Sequence, residues 1–296
     1  MPKKKILASQ ISNARSRNNE RQLERELGLF FSQLAGKVQS NLQEYWNDNM
    51  VMGQVDLILK PIQESHAEYY HILQKYIKRE YKLGQDEALR LVKLYTKGYA
   101  LKAVNPKLTP QLRVLQRLNL FGTLRGAEDD LLERVFEASA ATLARVESSI
   151  NLILTDGYKS GKGINYVANQ ITKRFGQLQG WEAKRIARTE IHNSHNTAVM
   201  DTYNELGVEY TMWISAHDDR VRTYEKGDQA DHKKLDGEII RLGDTYSNGL
   251  KYPGDTDGPL VEWINCRCSN APYVVPYGYI APPQRQFKES DLIKIK

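Results

Sequence analysis

The sequence predicts an α+β protein, with a long-helix N-terminal region followed by a small mixed α/β C-terminal domain and an extended tail. Apolar residues recur at spacings of three and four along most of residues 21–155, as they do on one face of an α-helix. After Gly207, short runs of aromatic and β-branched residues replace that pattern, which is typical of strands. We therefore divide the chain into a basic flexible arm (1–20), a helical docking region (21–155), a compact domain (156–270) and an extended Pro/Tyr tail (271–296).

The composition excludes few classes of protein. The chain has 296 residues, 41% hydrophobic and 26% charged, which is sufficient for a sizeable core. Its net charge of +6 is a mild basic excess that permits contact with DNA or with an acidic protein surface. No run approaches the roughly 18 apolar residues of a membrane span, so we expect no membrane segment. The two Cys are separated by one residue, and the strain of a disulfide between them favours free thiols in a reducing cytoplasm.

The first part of the chain is predicted to be an arm and a long helix. Residues 1–18 are polar, which predicts a disordered or loosely docked arm; contact with nucleic acid or a partner protein is the alternative. From Arg21 to Trp46 the apolar residues form one helical stripe, and the polar residues that follow end this helix.

Two further helices are predicted before residue 106. The first has Pro61 in its opening turn, where proline is tolerated, and ends at Gly84. The second is capped within residues 85–86 and stops before Asn105-Pro106, because the residue before a proline avoids the helical region.

A connector (108–126) leads to another long amphipathic helix. This helix opens at Ala127 and carries apolar residues as far as Leu154. The glycine-rich turn at 156–163 lacks the spacing of a phosphate-binding loop, so we assign it as a turn. A short helix over 165–175 follows, with Val167, Ile171 and Phe175 facing inward.

The last third of the chain predicts one helix and two strands. The helix starts near Lys184, and the strands cover 209–214 and 238–242. Asp236-Gly237, directly before the second strand, is a hairpin-type turn signal. After Cys268, alternating Pro and Tyr residues predict an extended arm that packs on a partner.

Six short motifs are concentrated between Lys184 and Cys268. They are Ile186-Ala187-Arg188-Thr189-Glu190, Asn196-Thr197-Ala198, Trp213, Asp219-Arg220-Val221-Arg222, His232-Lys233-Lys234-Leu235-Asp236-Gly237 and Asn265-Cys266-Arg267-Cys268. In this order they resemble the C-terminal domain of the bacteriophage Mu F-like family, also described as phage head morphogenesis or minor head proteins. The segment 156–175 resembles the part that precedes this domain, whereas the N-terminal half resembles the family only in being helical.

The resemblance implies a non-enzymatic structural protein of a tailed phage, present in few copies in the capsid interior and assembled in the host cytoplasm. Its expected partners are the portal protein, capsid or scaffold proteins and, non-specifically, DNA. Roles in DNA packaging or genome delivery are implied for the family. The alternative is a metal-dependent or nucleotide-using enzyme domain, such as a transferase, carried in the virion.

A metal site is the main chemical hypothesis for this domain. His232, Cys266 and Cys268 carry the ligand types that zinc prefers and could form three corners of a tetrahedron. The fourth ligand would be His217, Asp219, Asp231 or water. The alternative is two packed thiols, with His232 hydrogen-bonded to a backbone carbonyl. Some family members carry further Cys where Arg222 and Glu225 stand here, which weakens the zinc interpretation.

The central helix carries the other candidate residues. Glu190 could pair with Arg220 or Arg222 and fix the loop on the helix, while the enzymatic alternative places Arg188 and Glu190 around a nucleotide. His192 and His195 are interpreted as one packed and one exposed residue, without a metal role. A basic cluster on or before this helix could contact phosphate or form a solvated face; it consists of Lys173, Arg174, Lys184, Arg185 and Arg188.

Overall fold

The structure, a computed structural model, describes residues 14–47, 52–100 and 125–295. The chain forms two compact units. Of the described residues, the helical unit comprises those within 18–77 and 129–188, and the sheet unit comprises 14–17, 78–100, 125–128 and 189–295. The architecture is α+β, as predicted. The units do not follow the predicted order of segments along the chain, and the predicted boundary at residue 155 lies within a continuous helix.

Helices account for most of the described residues. They are α1 (Ala14–Tyr45), α2 (Met52–Gln63), α3 (His66–Ala100), α4 (Arg125–Lys159), α5 (Ile164–Gln177), α6 (Ala183–Glu205) and the short α7 (Leu260–Trp263). A π-helical segment (Leu178–Glu182) joins α5 to α6, with a non-helical backbone at Gly180. Among the helices of the described residues, none combines the length and the apolar character needed to cross a bilayer.

The core of the helical unit consists of the predicted apolar stripes. On α1 the buried residues include Leu23, Leu27 and Leu34. Phe30 on the same helix packs against Tyr69 of α3, with ring centroids 5.2 Å apart. Each fully buried side chain of this size contributes roughly 1.5–3 kcal/mol through removal of apolar surface from water. The three inward residues predicted for α5 are also buried.

The last residues of the predicted arm belong to a helix. Helix α1 begins at Ala14, so residues 14–20 are helical rather than flexible. Residues 1–13 of the predicted arm lie outside the described residues.

The interpretation of Pro61 as a helix start is wrong. Pro61 lies in the last turn of α2, where its missing N–H leaves the Leu57 carbonyl without its helical donor. The side-chain amide of Asn41 on α1 donates to that carbonyl oxygen at 2.8 Å. Because a neighbouring helix supplies the missing hydrogen bond, α2 tolerates the proline until it ends two residues later.

Gly84 does not end a helix, because α3 continues through it to Ala100. A Cβ atom at Gly84 would lie 2.4 Å from the backbone oxygen of His195 and 2.8 Å from the Cβ of Ala198, both on α6. The glycine therefore permits close packing of two helices within the sheet unit. The predicted helix end before Asn105-Pro106 and residues 108–124 of the predicted connector lie outside the described residues.

Substitution Gly84→Ala should destabilise the sheet unit by about 1–3 kcal/mol, because the new methyl group overpacks a backbone contact. Urea unfolding measures the change. The matched control is Gly36→Ala on α1, where no atom lies within 4 Å of the added Cβ. At that exposed helical position Ala should stabilise by up to about 1 kcal/mol. Equal effects at the two positions would contradict the packing role of Gly84.

The predicted turn at 156–163 starts later than expected, because its first glycine permits close packing of two helices instead of breaking one. Helix α4 continues to Lys159 and contains Gly157, whose added Cβ would lie 2.4 Å from the Val167 side chain of α5. The turn therefore begins only at Ser160.

The sheet unit is built on a four-stranded antiparallel sheet. Its strands are β1 (Tyr210–Ile214), β2 (Ile239–Arg241), β3 (Ser269–Tyr273) and β5 (Gln286–Phe287), in the order β3-β1-β2-β5. A separate ribbon pairs β4 (Tyr279–Ile280) with β6 (Ile293–Lys294). Both strands predicted from the sequence are present, and they occupy the centre of the sheet.

The tail is not a free extended arm. Its first residues belong to β3, which pairs with β1 from Tyr210↔Tyr273 to Ile214↔Ser269 and is buried throughout. Pro272 lies opposite Thr211, on an edge strand, where a missing N–H is tolerated. Further along, β5 pairs with β2 and forms the opposite edge. The predicted domain boundary at 270 is thus inside a strand, and the tail completes both edges of the sheet.

Candidate metal centre

Three side chains from two loops of the sheet unit meet beside the sheet. His232 lies in the long loop before β2, while Cys266 and Cys268 immediately precede β3. The Nδ1 atom of His232 lies 3.5 Å from the Sγ of Cys266 and 3.5 Å from the Sγ of Cys268. All three residues are buried, and their ligand atoms lie within 4.8 Å of one another. The structure therefore brings together the three residues that the sequence nominated.

The imidazole of His232 is held by a carboxylate on its other side. Its Nε2 lies 3.0 Å from Oε2 of Glu262, and the amide of Asn248 donates to the same oxygen at 2.9 Å. The Trp213 ring packs edge-on against the imidazole, with centroids 5.4 Å apart. This arrangement places the Nε2 proton on the Glu262 side and directs Nδ1 at the two sulfurs. The partner of His232 is thus a carboxylate and not the backbone carbonyl of the alternative interpretation.

Residues of α6 hold the loop of residues 264–268, which carries the two Cys and is called the Cys loop below. The backbone of Asn265 has a positive φ of 55°, and its N–H donates to Oγ1 of Thr189 at 3.0 Å. Asn196, two turns further along α6, donates from its amide to the carbonyl of Cys268 at 3.3 Å. The motif residues Thr189, Asn196 and Asn265 therefore share one function, which is to attach the Cys loop to the helix.

His192 is a site residue that the sequence interpretation missed. Its Nε2 lies 2.9 Å from the Asn196 amide nitrogen, and its interaction with Cys266 is one of the causes that lower the pKa of that thiol. His195 is buried, with Nδ1 3.0 Å from Oε1 of Glu80, so neither histidine is exposed. A signal was available, because Thr189, His192 and Asn196 are spaced by three and four residues and so share one face of the helix.

Arg222 has a structural partner different from the predicted one. Its guanidinium donates to the carbonyl oxygens of Val261 (2.7 Å) and Glu262 (3.1 Å) and also to that of Ile264. We predicted that Arg220 or Arg222 pairs with the half-buried Glu190. Arg220 instead is exposed beside Asp218, at 3.6 Å. Arg222 thus fixes the segment formed by α7, which carries Glu262, and the first residue of the Cys loop.

Removing the Arg222 contacts should be costly. Arg222→Met is expected to destabilise the sheet unit by about 2–4 kcal/mol, because it leaves carbonyl groups without their charged donor. The measurement is urea unfolding, and Arg220→Met, which changes an exposed ion pair, should cost less than about 1 kcal/mol. Indistinguishable unfolding curves for the two variants would show that Arg222 does not hold this segment.

The remaining motif residues organise the loop between β1 and β2. Trp213 is fully buried and packs against Tyr246, with ring centroids 5.1 Å apart. Gly237 has a φ of 77° and donates its N–H to the carbonyl of Trp213 at 2.9 Å. Asp236 accepts from the backbone N–H of Ser215 at 3.0 Å and lies 3.2 Å from Nε2 of His217.

The predicted fourth ligands have other positions. His217 pairs with Asp236, Asp219 is exposed, and Asp231 accepts the backbone N–H of Lys234 at 3.0 Å. Within the described residues, the clustered metal-binding groups are His232, Cys266 and Cys268 alone. The fourth position therefore has no side-chain ligand among His217, Asp219 and Asp231.

The protonation states of His232, Cys266 and Cys268 depend on one another. Burial lowers the pKa of His232, but its contacts with Cys266 and Glu262 outweigh burial and raise the pKa to about 9. Burial raises the pKa of the Cys266 thiol, yet hydrogen bonds with Cys268, His192 and His232 hold this pKa well below its usual range. The hydrogen bond to Cys266, together with burial, raises the pKa of Cys268. Without metal, the arrangement favours a Cys266 thiolate beside a protonated His232 and a neutral Cys268.

Arg188 and its basic neighbours belong to the helical unit. Arg188 pairs with Glu20 at 3.0 Å, and Arg174 pairs with Glu182. Arg185 lies over the Trp181 ring, 4.8 Å from its centroid. These contacts neutralise part of the basic cluster for which phosphate binding was one of the two interpretations of the sequence.

Comparison with known protein families gives a match over part of the chain. Residues 148–271 match a family model described as phage Mu protein F like protein. This range contains all residues of the candidate metal centre, whereas helices α1, α2 and α3 lie outside it. No curated protein and no solved structure matches the chain. The resemblance predicted from the six motifs is thereby confirmed.

Proposed function

We propose that this chain, which carries a phage Mu protein F-like domain at residues 148–271, is a minor head protein of a tailed bacteriophage. The observation that carries the proposal is the coincidence of this match with the packing around α6. The motif residues hold the Cys loop against α6, so the motifs that carry the resemblance serve to stabilise the domain. Such a protein acts in head morphogenesis, with DNA packaging or genome delivery as its further role.

The proposed role is non-enzymatic. The nucleotide-using alternative placed Arg188 and Glu190 around a substrate, but Arg188 pairs with Glu20 in the helical unit. The three side chains of the candidate metal centre are each at most 3% exposed, which leaves a substrate little access to them. A buried site of this kind suits a role in stabilising the domain better than one in turnover.

The portal protein is the proposed principal partner, with capsid or scaffold proteins as further contacts in the capsid interior. The helical unit supplies the proposed docking surface, since its long helices expose apolar side chains such as Leu29 (55%) and Leu152 (68%). Apolar residues exposed on adjacent long helices are suited to a protein partner when they form a continuous patch.

The test is assembly of the full chain with the portal, scaffold and major capsid proteins of its phage. We expect the chain in purified procapsids when the portal is present and its loss when the portal is omitted. Equal incorporation without the portal would reject portal association. Absence of the chain from particles of either kind would reject the minor head function itself.

Any contact with DNA is proposed to be non-specific. The net charge of +6 favours it, but part of the basic cluster is used in internal ion pairs. Retention on DNA should therefore be weak and should fall steeply as salt rises from about 50 to 200 mM. Retention that does not respond to salt, or that depends on DNA sequence, would contradict a purely electrostatic contact.

A further inference from the structure

We propose that His232 Nδ1, Cys266 Sγ and Cys268 Sγ bind one Zn²⁺ ion, with Glu262 and His192 as positioning residues and a water molecule as the fourth ligand. The ion is structural, and it joins the loop before β2 to the start of the edge strand β3. This goes beyond the proposed function, because a metal centre would belong to the domain wherever the protein acts in the particle.

The distances fit a tetrahedral zinc ion. With bonds of about 2.3 Å to sulfur and about 2.0 Å to nitrogen, the tetrahedral angle places nitrogen and sulfur about 3.5 Å apart. The observed separations from His232 Nδ1 to the two sulfurs are both 3.5 Å. Both nitrogen–sulfur pairs are thus at the separation that a shared zinc ion requires, and all three ligand atoms lie within 4.8 Å of one another.

The surroundings of His232 match those of a zinc ligand. Histidines that bind zinc usually donate their other ring N–H to a carboxylate, which fixes the tautomer and raises the basicity of the ligating nitrogen. Glu262 provides that carboxylate at 3.0 Å and is itself held by Asn248. The pair therefore directs Nδ1 towards the sulfurs, and a metal ion that displaces the Nδ1 proton would find its lone pair aimed at the site.

The surroundings of the sulfurs match those of zinc thiolates. The backbone N–H of Cys268 donates to Sγ of Cys266 at 3.4 Å. His192 accepts the Asn196 amide at Nε2, which leaves Nδ1 as the ring nitrogen that can donate to Cys266. This makes His192 a hydrogen-bond donor to a ligand and leaves the fourth position to water.

The position of the ligands explains why an ion is useful here. His232 and Cys266 are 34 residues apart, and β3 starts directly after Cys268. An ion between them closes a long loop and fastens the edge strand to the centre of the sheet. Several loops of this unit have little regular structure, so one cross-link orders much of the backbone.

The first experiment measures metal content in the full chain purified without chelator. Elemental analysis should find about one zinc per chain, and Cys266→Ser and Cys268→Ser should each lose it. The matched control is His217→Ala, which removes a histidine outside the site and should keep the zinc, whereas His232→Ala should not. If the wild-type chain binds no stoichiometric zinc and its chelated form takes up none on titration, the proposal is overturned.

A second measurement remains informative if a cysteine variant fails to fold. Titration of the chelated wild-type chain with Co²⁺ should produce sulfur-to-cobalt charge-transfer bands and the visible spectrum of a tetrahedral site with two thiolates. Octahedral cobalt without charge-transfer bands would refute the ligand set. Cys266→His, which keeps a zinc ligand, should retain the metal with weaker charge transfer.

The positioning roles need their own readout. Glu262→Gln and His192→Ala should each retain zinc but weaken its affinity by about 10- to 100-fold, while His192→Asn, which keeps an N–H donor, should recover part of the loss. His192→Ala should also shift the cobalt charge-transfer band, because a hydrogen bond to Cys266 is lost. Unchanged affinity and spectrum in both variants would remove these residues from the site. Particle incorporation tests the proposed function separately, so failure of either proposal can be recognised independently.

Discussion

Replacement of Cys266 by Ser is expected to lower the free energy of unfolding of the zinc-loaded chain by about 4 kcal/mol. This magnitude corresponds to the chain entropy of a cross-link between residues 34 apart, which the ion supplies between His232 and Cys266. Urea unfolding of the full chain, followed by Trp fluorescence, measures the change because Trp213 is fully buried beside the site.

Chelator provides the matched comparison. Removal of zinc from the wild-type chain should shift its unfolding midpoint to that of Cys266→Ser, and the variant should not respond to chelator. His217→Ala should respond as the wild type does, since His217 pairs with Asp236 outside the ligand set. A wild-type midpoint that is insensitive to chelator would mean that metal contributes nothing to the stability of this domain.

Trp213→Ala should destabilise the sheet unit by about 3–5 kcal/mol, the usual cost of deleting a large buried aromatic side chain. The indole packs against both His232 and Tyr246, so the cavity would also release the imidazole and weaken zinc binding. Chemical unfolding and zinc titration measure the two effects.

Trp181 supplies the control for this substitution. It is 55% exposed in the helical unit and contacts Arg185, so Trp181→Ala should cost less than about 1 kcal/mol and leave zinc binding unchanged. A Trp213→Ala variant as stable as Trp181→Ala would contradict the central position of Trp213 in the core.

Much of the fold could be predicted from the sequence because its signals are local. The spacing of apolar residues identified α1 and α5, including the inward residues of α5, since a helix repeats every 3.6 residues whatever surrounds it. The same argument holds for β1 and β2, whose aromatic and β-branched residues suit a buried strand.

The errors occurred where a distant neighbour overrides a local signal. Pro61 was assigned to a helix start and Gly84 to a helix end, but Asn41 satisfies the carbonyl that Pro61 leaves free, and α6 packs closely against Gly84. The Pro/Tyr tail was interpreted as an arm because Pro and Tyr residues alternate in it, yet Pro272 lies on an edge strand, where proline is tolerated.

The candidate metal centre likewise contains some residues that the sequence predicted and others that only the structure revealed. Residue chemistry alone nominated His232, Cys266 and Cys268, because thiolates and imidazole are zinc ligands wherever they occur. Glu262 and His192 were not nominated. Glu262 lies in a four-residue helix without a motif, and His192 is recognised only when the Cys loop is placed against its face of α6.

By itself, then, the sequence determined helices such as α1 and α5, the central strands β1 and β2, the ligand types and the phage Mu F-like motif series, all of which depend on residue identity and short-range spacing. Only the tertiary structure decided that the tail forms both edges of the sheet, that Arg222 binds backbone carbonyls and that α6 carries the support of the Cys loop. The physical reason is that these contacts join residues tens of positions apart. Their energies come from hydrogen bonds and packing that exist only after the chain has folded.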